Sequence, residues 1–401
     1  MAVLDTTASR GTSAEILAAL AEAEAREALL FTEPVNPPHR NGPDDQLSAR
    51  ARPDLRRRRG RHGAVRPDRQ VRVAPRKGPR AALAGGYDIP RIEMRRRCPW
   101  VWVRFAVLAT AAGFARHVLI AADDPGARTI QALWAAGFLW MGSQWVLSWL
   151  DRPRKVTRAE QWELDRLLVV VNIPLYNEDP VILDRVLYAL SRQTRRPNRI
   201  EVVDDGSTVD YGQVRDHWQM QLGTALRWVR QANGGKKHAQ VNTFRDARDA
   251  DIIVTIDSDT ALEERALAEG LKPFADPRVQ SVAGMETAAN SQANWLTRTA
   301  SARSMFFQLT ACGVLSAMGE ILVNRGAFAL YRASLLREIT PAYLEETFLG
   351  HRIRLGDDAA LTLFARGRGR TVQQPSAWSF TMYPEKLSHH FRQWIRWMRP
   401  R

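Results

Sequence analysis

The sequence feature that most constrains the fold is the stretch Asp251–Thr260, in which a run of β-prone residues ends at two aspartates, Asp257 and Asp259. A continuous apolar run of this kind is typical of a strand buried on both faces, as in the middle of an α/β sheet. Residues i and i+2 of a strand point the same way, so the two carboxylates can face one cation together. Carboxylate oxygens suit Mg²⁺ or Mn²⁺, although an Asx turn is the alternative for an isolated Asp-x-Asp.

Strands and helices alternate from about residue 161 onward, which predicts a mostly parallel sheet with ligands beyond its carboxyl ends. The predicted strands are Leu167–Ile173, Ile200–Val203, Leu226–Val229, Asp251–Ile256 and Val279–Ala283, and Pro180–Leu190 has the apolar spacing of a helix. We assign residues 160–390 to this α/β domain.

Polar motifs leave the first three of these strands, at Pro174–Glu178, Val203–Ser207 and Asn233–Gln240. In the second motif, a glycine after paired aspartates permits a sharp turn that leaves the carboxylates free. In the third motif, a glycine turn is followed by positively charged lysine side chains, an arrangement suited to binding phosphate. Each motif alone is only a turn signal, but their order and their spacing to Asp257 and Asp259 indicate one shared site.

The amino-terminal third of the chain has a different composition. Residues 1–97 are predicted to form a largely disordered tail, since Pro, Gly and Arg dominate much of it and leave little apolar surface to bury. The net charge of +15 is unevenly placed and includes the run Arg56–Arg59. A nucleic-acid-binding arm is the alternative, but no aromatic interleaving supports it and no nucleic acid is expected.

Two apolar segments, about Pro99–Ala121 and Thr129–Leu150, predict a pair of transmembrane helices within residues 98–151. The second carries no charge over about 22 residues, enough to span a hydrocarbon core of ~30 Å. Arginines flank the pair, which by the positive-inside rule places the tail and the α/β domain in the cytoplasm, at a plasma (inner) membrane. For the first segment, Arg104 and Arg116 leave a buried or interfacial helix as the alternative.

In chain order, the segments PLYNED, VDDGS, NGGKKHAQ, DSDT, GDDAALT and RQWIRW resemble the processive family-two glycosyltransferases, the group of hyaluronan, chitin and cellulose synthases. The resemblance covers about residues 165–401. It implies a GT-A fold, a nucleotide-sugar donor, a divalent metal ion (Mg²⁺ or Mn²⁺) and a membrane-embedded channel.

The resemblance also assigns roles to individual residues. It places the uridine part of the donor on Tyr176, Glu178 and Asp205, the donor phosphates near Lys236, and the metal on the aspartate pair, with Asp259 the more direct ligand and Asp257 beside it. Asp358 corresponds to the catalytic base. An interfacial helix over residues 386–401 would carry Arg396 for the diphosphate and Gln393 and Trp397 for the acceptor sugar.

Two departures from the family pattern affect the expected product. The run Val323–Arg332 stands where the family has a Ser-Gly-Pro or Cys-Gly-Pro element, which leaves the acceptor open. The sequence also stops at Arg401, shortly after Trp397, and so resembles a truncated synthase.

The resemblance favours a membrane-bound, inverting enzyme that makes a β-linked polysaccharide from a UDP-sugar on a growing polysaccharide or sugar acceptor. A non-processive transferase to a lipid or short acceptor is one alternative. An inactive, membrane-tethered partner subunit is the other, although the intact acidic residues and Arg396 argue against it. The sequence leaves the oligomeric state open.

Overall fold

The computed structural model describes residues 87–92, 101–121, 125–348, 351–352 and 356–398. The chain divides into two compact units, Met1–Arg72 and Val73–Arg401, and every described residue belongs to the second. The predicted disordered tail therefore lies outside the described residues, apart from 87–92. In that short segment the Tyr87 hydroxyl donates a 2.7 Å hydrogen bond to Asp184 Oδ2, and Arg91 pairs with Glu264.

Two helices form where the apolar segments predicted them, α1 (Val101–Ala121) and α2 (Pro125–Leu147), followed by a 3₁₀ turn at Ser148–Leu150. Within the described ranges, however, no helix combines the length and the apolarity needed to cross a bilayer. The structure thus bears out the two predicted helices but not their assignment as membrane spans.

The predicted parallel sheet forms the first half of a larger one. Strands β1 (Val169–Leu175), β2 (Arg199–Asp204), β3 (Leu226–Arg230) and β4 (Ile252–Thr255) lie in the order β3-β2-β1-β4, and each neighbouring pair is parallel. Their carboxyl ends therefore meet at one edge, which is where the polar motifs leave the sheet.

The second half of the sheet is mixed, which corrects the expectation of a mostly parallel sheet. It contains β5 (Ala261–Leu262), β6 (Val279–Ala288), β7 (Ala329–Arg332) and β10 (Arg370–Thr381), in the continuing order β7-β6-β10-β5. Strand β7 runs antiparallel to both β4 and β6, β10 is parallel to β6, and β5 is antiparallel to β10. A separate two-stranded ribbon joins β8 (Thr347–Phe348) and β9 (His351–Arg352).

Helices cover both faces of the sheet because successive strand residues point to opposite sides and both sets are apolar. Val169, Val171 and Ile173 of β1 pack with one apolar cluster, and Val170 packs with the other. The remaining helices are α3 (Arg158–Asp165), α4 (Pro180–Ser191), α5 (Gly212–Leu222), α6 (Lys236–Asp246), α7 (Ala266–Leu271), α8 (Trp295–Phe307), α9 (Gly313–Met318), α10 (Ala333–Leu344), α11 (Asp357–Arg366) and α12 (Leu387–Met398), with a π-helical turn at Gln308–Cys312 between α8 and α9.

Asp151 joins the end of the α1–α2 hairpin to the α/β domain. Its carboxylate accepts a hydrogen bond of 2.8 Å from Ser316 Oγ on α9 and one of 3.1 Å from Gln373 Nε2 on β10. Burial raises the pKa of Asp151 to about 7, although the two hydrogen bonds oppose the shift. The junction is therefore most stable when this carboxyl is neutral.

Replacing Asp151 with asparagine should reduce the pH dependence of stability. Because the folded-state pKa lies above the ordinary value of 3.8, the folded chain binds more protons than the unfolded chain, and stability falls as pH rises through about 7. We expect Asp151→Asn to recover on the order of 3 kcal/mol of this loss at pH 8. Thermal unfolding between pH 5 and pH 8 measures it, with the exposed Asp216→Asn as control. An unchanged pH slope in Asp151→Asn would contradict the assignment.

Candidate active site

The loop after β1 is tied to the loop after β2. Tyr176 directly follows β1 and is 56% exposed, and Asn177 comes next in the left-handed region with φ 51°. The Asn177 side-chain oxygen accepts hydrogen bonds from the backbone amide (2.8 Å) and the hydroxyl (3.0 Å) of Thr208. The backbone amide of Asn177 donates a hydrogen bond to Ser207 Oγ (3.0 Å). Asparagine tolerates this backbone conformation better than most residues, so it can make this turn.

The loop after β2 is tied in turn to the glycine loop after β3. Asp205 is buried, and its carboxylate accepts hydrogen bonds from the amides of Gly234 (2.9 Å) and Gly235 (2.7 Å) and from Gln231 Nε2 (2.7 Å). Gly206 has φ 76°, and a Cβ there would lie 2.9 Å from the Asn233 amide nitrogen, so only glycine fits. Asp205 thus shapes the glycine loop, and its predicted contact with uridine stays a prediction.

Lys236, the first residue of α6, joins two acidic motifs that are far apart in the sequence. Its Nζ lies 2.8 Å from Asp257 Oδ1 and 2.8 Å from Asp357 Oδ2. Burial acts to lower the pKa of Lys236, but the carboxylates of Asp257, Asp357 and Asp358 outweigh it and raise this pKa well above its usual range. The lysine is therefore charged and holds the aspartate pair beside the start of α11.

Asp358, the predicted base, lies at the start of α11 against the backbone of Gly326. A Cβ on Gly326 would be 2.6 Å from Asp358 Oδ2, so the carboxylate occupies space that any other residue would fill. Burial and the neighbouring Asp357 raise the pKa of Asp358 well above its usual range, while Lys236 opposes the shift. A carboxylate with a raised pKa is better matched to accepting a proton near neutral pH.

Asp259 lies among other carboxylates at the same edge. Its Oδ1 accepts hydrogen bonds from Thr260 Oγ1 (3.2 Å) and Thr381 Oγ1 (3.1 Å). Burial, together with the negative charges of Asp257 and Glu178, raises the pKa of Asp259 to about 7. Glu178 itself accepts a 3.2 Å hydrogen bond from the Ser258 hydroxyl between the two aspartates.

This arrangement fits a divalent cation that is coordinated partly by the protein and partly by a bound substrate. Asp259 and Asp257 offer hard oxygen donors, and a cation would offset the negative charges of Asp257 and Glu178 that, after burial, raise the pKa of Asp259. Among the described residues, no group of three or more His, Cys, Asp or Glu side chains is placed to hold a metal ion. A cation on the aspartate pair would suit a substrate that brings phosphate oxygens of its own.

The segment with the Gln-x-x-Arg-Trp motif lies on α12, as predicted. Gln393 is partly exposed there, while the side chains of Arg396 and Trp397 lie outside the described part of the structure. Trp394 on the same helix contacts Arg303 of α8, with the guanidinium 4.5 Å from the ring centroid. The structure thus places the helix, and the roles predicted for its three motif residues stay predictions.

Three polar residues near the site were not foreseen from the sequence. Glu286 on β6, Arg325 before β7 and Tyr383 after β10 form a connected group, with Arg325 Nη1 2.9 Å and the Tyr383 hydroxyl 2.6 Å from Glu286 Oε1. The available signal was weak: Arg325 stands within the run Val323–Arg332 that departs from the family pattern, and Glu286 lies just past the strand end that we predicted.

The fold and the site together define a class of enzyme. An α/β sheet that gathers an aspartate pair, a lysine and a second buried carboxylate at the carboxyl ends of its parallel strands is the layout of a GT-A glycosyltransferase. A family model described as "Glycosyltransferase like family 2" matches residues 166–400. The chain belongs to this family of glycosyltransferases.

Several relatives show where the chain lies within the family. It is 36% identical over 234 residues to a hyaluronan synthase of Streptococcus pyogenes, in a match that covers 57% of this chain and 56% of that protein. It is 30% identical over 282 residues to an N-acetylglucosaminyltransferase of Azorhizobium caulinodans, covering 67% of this chain and 70% of the relative. The chain thus spans little more than half the length of the hyaluronan synthases that it matches.

Among solved structures, the chain is similar to a mannosyltransferase from Pyrobaculum calidifontis in complex with GDP-Man and Mn²⁺. The identity is 21%, the TM-score is 0.46, and the match covers 72% of this chain and 71% of the mannosyltransferase.

Proposed function

We propose that the chain is a divalent-metal-dependent, inverting glycosyltransferase that builds a β-linked polysaccharide, hyaluronan-like or chitin-like, from a UDP-sugar. The observation that carries the proposal is the contact of Lys236 with both Asp257 and Asp357. Through this contact Asp257, proposed to face the donor, lies close to Asp357, which precedes the proposed base Asp358. The similarity to hyaluronan synthases and to an N-acetylglucosaminyltransferase supports the choice of product.

The proposed reaction is a single displacement at the anomeric carbon of the donor. The acceptor hydroxyl gives its proton to Asp358 as its oxygen forms the new bond, and the bond to the diphosphate breaks, with the electron pair leaving on the diphosphate. The raised pKa of Asp358 supports this role. Attack from the face opposite the leaving group converts an α-linked donor into a β-linked product.

Donor binding is assigned to the edge formed by the tied loops. Tyr176, Glu178 and Asp205 would contact the uridine part, and Lys236 would face the phosphates. Asp259 and Asp257 would hold Mg²⁺ or Mn²⁺, which when bound supplies positive charge for the departing diphosphate. Arg396 would add a guanidinium for that diphosphate, and Gln393 and Trp397 would contact the acceptor sugar.

We also propose that the α1–α2 hairpin contacts the lipid bilayer of the plasma (inner) membrane. Large apolar side chains of α2 are exposed, among them Trp134 (66%), Phe138 (61%) and Trp140 (67%). On α12, Phe391 and Ile395 are exposed as well. Such surfaces are typical of membrane or protein contacts, and amphipathic helices of this kind lie at lipid interfaces.

A second candidate is a non-processive transferase that adds one sugar to a lipid or short acceptor. The observation that favours it is Arg325, which stands in the run Val323–Arg332 where the family has its Ser-Gly-Pro or Cys-Gly-Pro element and pairs there with Glu286 of β6. Product sizing separates the two, because a processive enzyme makes long chains without releasing short intermediates.

The proposal is tested by UDP release from a panel of UDP-sugars, with and without Mn²⁺ or Mg²⁺, using the full chain in its membrane fraction. At least one UDP-sugar should release UDP in a metal-dependent reaction that a chelator stops. Asp259→Asn should raise the Mn²⁺ concentration for half-maximal UDP binding by about tenfold or more, since it removes one anionic ligand. The exposed Asp216→Asn is the control. Metal-independent release, or normal metal affinity in Asp259→Asn, would remove the metal assignment.

A further inference from the structure

Glu286 and Arg325 form an ion pair that belongs to none of the roles described above. Arg325 Nη1 lies 2.9 Å from Glu286 Oε1 and donates a 2.8 Å hydrogen bond to Ser304 Oγ. The backbone of Glu286 is itself fixed by Gln308 in the π-helical turn, whose side chain accepts from its amide and donates to its carbonyl, both at 2.8 Å. Irregular turns of this kind occur frequently at functional sites. The Glu286–Arg325 pair is therefore rigidly placed.

The pair borders the active site on two sides. Gly326, which follows Arg325 directly, lies against the carboxylate of Asp358. Tyr383, which donates to Glu286, comes two residues after Thr381, whose hydroxyl donates to Asp259 at 3.1 Å. The pair is thus connected, through residues next to it in the chain or in contact with it, both to the carboxylate of Asp358 and to that of Asp259.

Part of the hydrogen-bonding capacity of the pair is unused. Among the residues that the structure describes, Glu286 Oε2 and the Nε and Nη2 atoms of Arg325 have no hydrogen-bond partner. The Arg325 side chain is 28% exposed, so part of it is accessible to a ligand. The ring of Phe307, 5.7 Å from that guanidinium, is half-exposed beside it.

These atoms define the chemistry of the ligand. A carboxylate oxygen that can only accept, next to guanidinium nitrogens that can only donate, suits a pair of neighbouring hydroxyls, and an exposed aromatic ring suits the apolar face of a sugar. The opposite charges of Glu286 and Arg325 cancel, so the pair offers no net positive charge to offset the desolvation of an anionic sugar, which favours a neutral one.

We propose that Glu286 and Arg325 bind the hydroxyls of a neutral acceptor sugar and hold its attacking oxygen at Asp358. The inference rests on the proposed glycosyl transfer and adds to it the acceptor subsite and its preference. The two residues position the acceptor and take no part in the bond changes, since Asp358 receives the proton.

The test measures initial rates with acceptor oligosaccharides, using neutral chitin tetramers and anionic hyaluronan tetramers as probes. Glu286→Gln and Arg325→Lys should each raise the KM for the chitin tetramer about tenfold, the effect of losing one hydrogen bond to a buried partner, and leave the UDP dissociation constant within about twofold. Tyr383→Phe, which removes only the hydroxyl that orients Glu286, should raise the same KM by a smaller factor. The matched control is Glu338→Gln, which breaks the exposed pair between Glu338 and Arg368.

An unchanged acceptor KM in the Glu286 and Arg325 variants, or a parallel loss of UDP affinity, would overturn the inference. A larger effect on the hyaluronan tetramer than on the chitin tetramer would overturn the preference for a neutral sugar. Failure of the proposed function has a different signature, because the unaltered chain would then release UDP from none of the UDP-sugars, and the acceptor inference would be lost with it.

Discussion

Asp358→Asn is expected to lower the rate of sugar transfer by roughly 10²–10⁴-fold, the contribution typical of a positioned general base. An amide cannot take the proton of the acceptor hydroxyl, yet it has the size of the carboxylate and fits the same space beside Gly326. UDP affinity should be retained, since Asp257 and Lys236 remain in contact. The measurements are UDP release in the presence of acceptor and calorimetric titration with UDP.

The control for this variant is Asp216→Asn, an exposed carboxylate on α5 that should transfer sugar at the normal rate. A rate for Asp358→Asn within tenfold of the unaltered chain would mean that another group is the base. If Asp358→Asn loses both UDP affinity and transfer activity, Asp358 has a structural role at the site and does not act as the base.

Gly326→Ala is expected to reduce transfer about 100-fold, the cost of a reacting group displaced by roughly 1 Å. The new methyl group would lie 2.6 Å from Asp358 Oδ2 and 2.8 Å from Oδ1, so the carboxylate must rotate away from its position. Because only the end of one side chain has to move, the thermal stability of the protein should change little. Transfer rates and thermal unfolding of the same preparation measure both quantities.

Two other glycines serve as references for this variant. Gly367 at the end of α11 has no atom closer than 3.5 Å to the position of a Cβ, so Gly367→Ala should keep both activity and stability. A Cβ added at Gly284 would overlap with the buried ring of Phe328, so Gly284→Ala should lower stability. If Gly326→Ala behaves like Gly367→Ala, the contact with Asp358 does not set the position of the base.

The sequence predicted the parallel half of the sheet because its central strands are rich in β-branched apolar residues. Strands β1 to β4 formed within a few residues of their predicted bounds; β1, β2 and β4 are almost entirely buried, whereas β3 at the edge is buried only at Leu226. Strand β10 was missed because Gln373, Gln374 and Ser379 give it a polar composition. Their side chains find hydrogen-bond partners inside the domain, which only the folded chain can reveal.

The candidate site was predicted as a set of motifs but not as a network. Local spacing identified Asp257 and Asp259, because they end a buried strand with a recognisable turn, whereas Asp358 was identified through the resemblance to the family. It could not reveal that Lys236 contacts both acidic motifs, since about a hundred residues separate them and the contact depends on where α11 packs. The Glu286–Arg325 pair was missed for the same reason.

The loops at the carboxyl edge of the sheet are tied to one another in succession. Asn177 joins the first to the second, Asp205 the second to the third, and Lys236 the third to the residues beyond β4 and to α11. These loops are therefore linked to one another, so that a change in the conformation of one loop also affects its neighbours. The effects of substitutions in these linked loops will not be additive. A kinetic defect caused by one substitution then reflects a shift of the neighbouring loops as well as a lost contact with the ligand.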